Sequence, residues 1–320
     1  MKKTIFILYI YFGLTITTWG QQNLNFRTLD VKGGLADNYV RDITRDSYGF
    51  MWFSTINGLS RYDGYIYKNF TLNEVGNFNS DVSRVMETAD GTLWLVSGEN
   101  ILTYNRQKDA IENNGKEIMS FLGIKSPTNK IYVDESHNLW ASSNEALLYY
   151  NYTKKNLTVI PLNQKPDVID IASRGDMTAI LTNDGKFYRV DINSKKLIYE
   201  GETKLSNISR YHHLYLDSRM RLWIYTAHTP VERPLCYSLK ENKWVTNPLT
   251  EQLQHINITA IYDDNDGHLW IATENRGVFI CNEDENGPLA PYGISPFLSY
   301  NSHINCFYKT GSQMCMGSAK

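Results

Sequence analysis

A short strand-and-turn pattern centred on a tryptophan recurs along this chain and restricts its fold more than any other feature. Asp46-Ser47-Tyr48-Gly49-Phe50-Met51-Trp52-Phe53-Ser54-Thr55 is followed by Gly58-Leu59 and Tyr62-Asp63. Asp90-Gly91-Thr92-Leu93-Trp94 begins a second copy and Asn138-Leu139-Trp140 marks a third; Leu222-Trp223-Ile224 and Asp266-Gly267-His268-Leu269-Trp270 mark two later ones. Between them Ala179 stands where the ring is expected, in Met177-Thr178-Ala179-Ile180. Cys315 holds the same place in a last, weaker copy. The landmarks 52, 94, 140, 179, 223, 270 and 315 are spaced by about 44 residues on average, the period of a four-stranded propeller blade. The expected fold is all-β: a seven-bladed β-propeller of four-stranded antiparallel blades, the last incomplete.

Each unit has a physical logic. A strand such as Val40–Thr44 or Ile258–Tyr262 leads into an Asp/Asn/Gly turn, and the tryptophan strand returns from it. Trp52, Trp94, Trp140, Trp223 and Trp270 are then the structural anchors, wedged between neighbouring blades. A third strand ends near Tyr62-Asp63, and a fourth, such as Ile66–Phe70 or Leu157–Ile160, completes the blade. The segment Leu24–Leu29 reads as an outer strand that pairs with the last blade and locks the ring. The sequence stops just past the landmark strand of unit seven, so a fragment of a longer protein is expected.

The N-terminus reads as an address. Lys2 and Lys3 precede an apolar stretch from Thr4 to Thr18, and Gly20 precedes Gln21-Gln22, the order of a secretory signal over residues 1–20. The propeller then covers 21–320, in the periplasm. A net charge of −2 gives no global field that would recruit nucleic acid. The four cysteines, Cys236, Cys281, Cys306 and Cys315, read as small buried residues rather than a disulfide framework, because equivalent outer positions on adjacent blades lie too far apart.

The pattern Gly34-Leu35-Ala36-Asp37-Asn38-Tyr39-Val40, then Ile43, Asp46, Gly49, Trp52, Thr55, Gly58-Leu59 and Tyr62-Asp63, resembles the two-component regulator propeller repeat. It is similar to the start of the periplasmic sensor region in hybrid two-component systems (histidine kinase and response regulator) of Bacteroidetes. The resemblance implies a longer sensor anchored in the inner membrane, with a second propeller, a β-sandwich, a kinase, a receiver and a helix-turn-helix domain. It also implies that the chain senses an oligosaccharide and signals through kinase modules that it does not itself contain. Its implied partners are that oligosaccharide and the second propeller and kinase modules, with a homodimer as a further option. No nucleic acid is expected to bind this part.

Fold alone does not give chemistry, since propellers host enzymes, sensors and scaffolds. A glycoside hydrolase or lyase needs paired carboxylates, for which Asp42, Glu87, Asp134 and Asp170 are the candidates by position, although acids in repeats usually serve turns. His212 and His213 are adjacent on one strand, so they face opposite sides and do not share a metal. No enzyme activity, cofactor or metal is expected. The alternative to a sensor is a non-catalytic protein-interaction propeller.

Ligand pockets of propellers form from loops leading into the inner strand and loops after the second strand. The binding residues expected there are Asn38, Tyr39, Asn57, Asn144, Arg210, Tyr211, His212, Arg233 and Arg276. Asp37, Asn79, Asp81, His255, Asn257, Glu99, His228 and Asn275 share those loops. Amides, guanidinium groups and aromatic rings suit hydroxyl-rich or acidic sugars.

Overall fold

The computed structural model describes residues 27–76, 81–125, 128, 130–162, 167–205, 208–226, 233–246, 248–282 and 303–319. Blade one is a meander of Val40–Arg45, Met51–Thr55, Gly58–Tyr62 and Tyr67–Phe70, paired in that order. Four more sheets have four antiparallel strands, a sixth has three, and a last has two. The inner strands that open the later sheets are Arg84–Glu87, Lys130–Val133, Val168–Arg174, His212–Leu216, Ile258–Asp263 and Ile304–Thr310.

Seven blades were expected; six are present, followed by a partial sheet of Ile304–Thr310 and Gln313–Ser318. Counting landmarks overstates the number because Cys315 lies on the second and last described strand of its unit. The described part of blade six ends its third strand at Asn282. The ring nevertheless closes. The two-stranded sheet lies against blade six on one side and against the inner strand of blade one on the other. Asn305 Nδ2 donates to Val40 O at 2.7 Å, Arg45 Nη1 donates to Thr310 Oγ1 at 3.1 Å, and Tyr39 bridges to Ala319. Of the expected closing strand Leu24–Leu29, the described part does not pair in this seam. The first three residues of that segment lie outside the described residues, and 27–29 are not strand. Leu29 instead packs beside Leu35, Val40 and Cys306 in the seam core.

The anchors act as the sequence predicts. Trp52, Trp94, Trp140 and Trp223 are fully buried, and Trp270 partly so. Each packs on the blade that follows: Trp52 on Val85 and Leu95, Trp94 on Ile131 and Leu139, Trp140 on Ile171 and Ile180, Trp223 on Ile261 and Ile271. Such burial is the main favourable term in a fold with short strands. Blade four does without the ring because its apolar mass has moved one strand outward. Phe187, fully buried, stacks edge-on against Tyr237 and Trp244 of blade five at 4.9 and 5.5 Å. Gly201 leaves room for that ring, since a Cβ there would lie 2.6 Å from it.

An acid six residues before four of the five anchors does two jobs. Asp46 Oδ1 accepts from the amides of Tyr48 and Phe50, closing the hairpin turn, while Oδ2 accepts from Trp52 Nε1 at 2.8 Å. Asp134, Asp217 and Asp264 repeat this for Trp140, Trp223 and Trp270. In blade two the roles split: Thr88 Oγ1 takes the Trp94 indole and Asp90 takes the Thr92 amide. The pattern Asp…Trp is thus a turn cap and a rotamer lock in one side chain. Cys236, Cys281 and Cys306 are buried thiols and Cys315 is partly buried.

Candidate functional site

In an antiparallel meander the loop before the first strand and the loop after the second lie at the same end. The loops named from the sequence therefore share one face of the ring, around the mouth of its axis. At the seam, Arg41 stacks 5.3 Å over the Tyr39 ring and pairs with Asp81 at 2.6 Å, and His303 lies 6.3 Å from Tyr39. Asn38 is committed to the backbone there, accepting from Val31 N at 2.9 Å. At blade five, Arg210 stacks 5.2 Å over the exposed Tyr211 ring, and His212 beside them is buried. Asn57, Asn144, Arg233 and Arg276 are exposed on blades one, three, five and six. Asn79 and His228 lie outside the described residues. The structure thus gathers Asn38 and Tyr39 at one place and Arg210, Tyr211 and His212 at another.

A second cluster was not anticipated as a set. Two residues before the inner-strand partner of each landmark stand Asp42, Arg84, Lys130, Asp170, His213, Ala260 and Cys306. These equivalent positions form a ring on the innermost strands, and five of them, from five consecutive blades, are acids, bases or a histidine. The two acids pin neighbouring blades. Asp42 Oδ2 accepts from Val85 N of blade two at 3.1 Å, and Asp170 Oδ2 accepts from Leu214 N of blade five at 2.9 Å. Bulges just before these positions re-aim the next side chain inward. Thr259 and Asn305, the bulged residues of blade six and the last sheet, donate across to Ile304 O and Val40 O.

The two acids are shifted in opposite directions from the ordinary carboxylate value. Burial pushes the Asp42 carboxyl up to about 6, against the opposing effects of the Arg84 charge and the Val85 and Ile43 amides. Burial acts in the same sense on Asp170, but Lys130, 2.5 Å away, and then His213, at 3.6 Å, hold it well below the usual carboxylate range. A raised carboxyl favours the fold while protonated, so the Asp42 contribution is complete below the ordinary value of 3.8 and is lost as pH rises through about 6. Asp170 contributes in the opposite sense, present above 3.8 and lost only in stronger acid. Asp42→Asn keeps an oxygen for the Val85 amide and removes the ionised state. It is expected to stabilise the protein at about pH 8 by on the order of 2 kcal/mol and to flatten the stability change between about pH 4 and 6. Urea unfolding from about pH 4 to about pH 8 measures both.

The other acids proposed for catalysis are occupied elsewhere. Asp134 caps its turn and holds Trp140. Glu87 accepts from Ser47 N and Oγ of blade one and from Arg106 Nη2, while Arg106 also reaches Asp46 at 2.9 Å. His212 and His213 part as expected, His213 toward Asp170. Among the described residues no helix is long and apolar enough to cross a membrane.

Residues 34–57 and 252–275, on blade one and leading into blade six, match the family described as two component regulator propeller. No curated protein matches the sequence. Among solved structures, the chain is similar to the extracellular domain of a protein described as a hybrid two component system from B. thetaiotaomicron, with a TM-score of 0.64 and 18% identity over 92% of this chain and 40% of that one. A second such domain from the same organism gives a TM-score of 0.61 at 18% identity, over 88% of this chain and 37% of that one. Virginiamycin B lyase from Staphylococcus aureus gives 0.51 at 17% identity, over 75% and 79% of the two chains. These likenesses establish the propeller fold. The chain spans about two fifths of the length of the two sensor domains.

Proposed function

The chain carries two-component regulator propeller repeats, and we propose that it is the extracytoplasmic ligand-sensing propeller of a hybrid two-component sensor, binding an oligosaccharide without altering it. The pair of repeat matches on blades one and six carries this reading, and the extracellular setting of the two similar domains agrees with it. Residues 1–20 act as the export signal in this proposal, and 21–320 as the propeller. The sugar meets the loop face, where the Arg41–Tyr39 and Arg210–Tyr211 stacks offer aromatic surface beside guanidinium donors. Signalling requires that the ligand bind two arrangements of the longer sensor with different affinity. That coupling runs through kinase modules of the longer sensor.

Calorimetry of the chain against a panel of oligosaccharides tests the reading. Saturable binding with the glycan recovered intact is the expected result. Turnover of a bound glycan would overturn it in favour of a hydrolase or lyase, and failure of every glycan to bind would move the assignment to a protein-interaction propeller.

A further inference from the structure

We propose that the axis of the ring holds a binding site for a carboxylate, anchored by the Arg84 guanidinium. This site lies on the inner strands rather than on the loops, and it does not depend on the sensor reading. Arg41, Arg61, Arg106, Arg174, Arg189 and Arg221 are partly buried arginines of the blades, and each has a carboxylate within 4.0 Å. Arg84 has none, and its guanidinium makes no hydrogen bond to any described residue. Yet its charge acts on Asp42, Tyr132, Asp170 and Tyr225, which belong to blades one, three, four and five. Arg84 stands at the ring position on the innermost strand of blade two, two residues before the partner of Trp94, so this charge lies among the groups that the inner strands bring to the axis.

The neighbouring acids do not take up its donors. Asp42 directs its two oxygens to the amides of Ile43 and Val85. Asp170 gives Oδ1 to Lys130 and Oδ2 to the Leu214 amide, with His213 beside it. Lys130 is likewise spent on Asp170 and on Ile169 O. What remains is a planar fork of N–H donors, half-buried and uncommitted, the geometry that a carboxylate meets with two parallel hydrogen bonds. A half-buried guanidinium on the innermost strand with no internal partner is free to pair with a ligand that supplies one.

The same ring sets the pH response. An arriving carboxylate adds a negative charge near Asp42, which faces Arg84 on the blade-two strand and Cys306 on the last sheet, with Asp170, Lys130 and His213 completing the ring. The added charge favours protonation of the already strained Asp42 carboxyl, so binding takes up a proton and tightens toward lower pH. The carboxylate has two natural sources, a free organic acid or the uronic acid unit of a glycan.

Calorimetry with sodium glucuronate, sodium acetate and glucose, at constant ionic strength and at about pH 6 and about pH 8, distinguishes them. The expected result is saturable binding of one or both carboxylates and none of glucose, tighter at the lower pH. Arg84→Gln is expected to weaken it by about 10- to 100-fold, and Arg84→Lys, which keeps the charge without the fork, by less. Equal affinity for acetate and glucuronate assigns the site to free acids, whereas glucuronate alone assigns it to a sugar acid. Thermal unfolding of both variants near the wild-type midpoint shows that the loss is local. Absence of carboxylate binding by the wild type, or unchanged affinity in a folded Arg84→Gln, overturns the proposal. Neutral-glycan binding that persists in that case leaves the sensor reading intact.

Discussion

Asp217→Ala is expected to destabilise the protein by about 3–5 kcal/mol, the effect of removing one partner from a buried charged pair. Asp217 is fully buried and accepts from the Arg219 and Arg221 amides, from Arg221 Nε at 2.7 Å and from Trp223 Nε1 at 2.8 Å. Truncation opens the hairpin turn, frees the indole of the blade-five anchor and strips Arg221, itself nearly buried, of this carboxylate. Asp217→Asn is the informative comparison. It retains an oxygen for the turn amides but not the charge, so it is expected to lose roughly half as much. Chemical denaturation of the three proteins gives both differences. A loss below about 1 kcal/mol for the alanine variant would show that the cap is dispensable.

Gly58→Ala is expected to be nearly as damaging, by about 3 kcal/mol or more, for a reason confined to the backbone. Gly58 has φ +114, and a Cβ there would sit 2.3 Å from Phe70 O on the outer strand of the same blade. Neither strand can yield without breaking the Leu59–Phe70 pairing. Gly64→Ala separates the two causes. Its φ is +105, but nothing lies within 4 Å of the added methyl, so only conformational strain of about 1 kcal/mol is expected. Equal midpoints for the two variants in thermal unfolding would remove the close approach as an explanation.

The parts of the fold that were legible in the sequence are those written locally. An acid, a turn residue and a tryptophan within six positions make a hairpin, and that spacing, seen four times and once with Thr88 in the acid's place, makes a ring. Even so, the sequence placed the sixth unit's acid at Asp266, whereas Asp264 holds Trp270 and Asp266 donates its amide to it. Asp266 instead pairs with Lys309 of the last sheet. The blade count was less legible because a landmark marks a second strand and says nothing of the third and fourth. The polar ring was hardest to read. Asp42 and Asp170 had been singled out as acids and His213 as one of two adjacent histidines, but Arg84 and Lys130 had no local signature. Equivalent positions about 44 residues apart hold different side chains, so periodicity, which exposes the tryptophans, conceals charges that meet only on the axis. Topology puts the loop residues at one end of the ring, while which of them converge depended on the Arg–Tyr stacks.

The seam between the last sheet and blade one has a kinetic meaning as well. Within a blade, paired strands are neighbours in the chain and associate with little loop-closure entropy. The Asn305–Val40 and Arg45–Thr310 hydrogen bonds instead join residues 265 positions apart. Consecutive blades, interlocked by their anchors, are therefore expected to assemble as an open arc, with closure of the circle as a late, long-range event. The same contacts form a clasp whose release uncurls the arc without first unravelling any blade, so this junction sets how easily the ring opens.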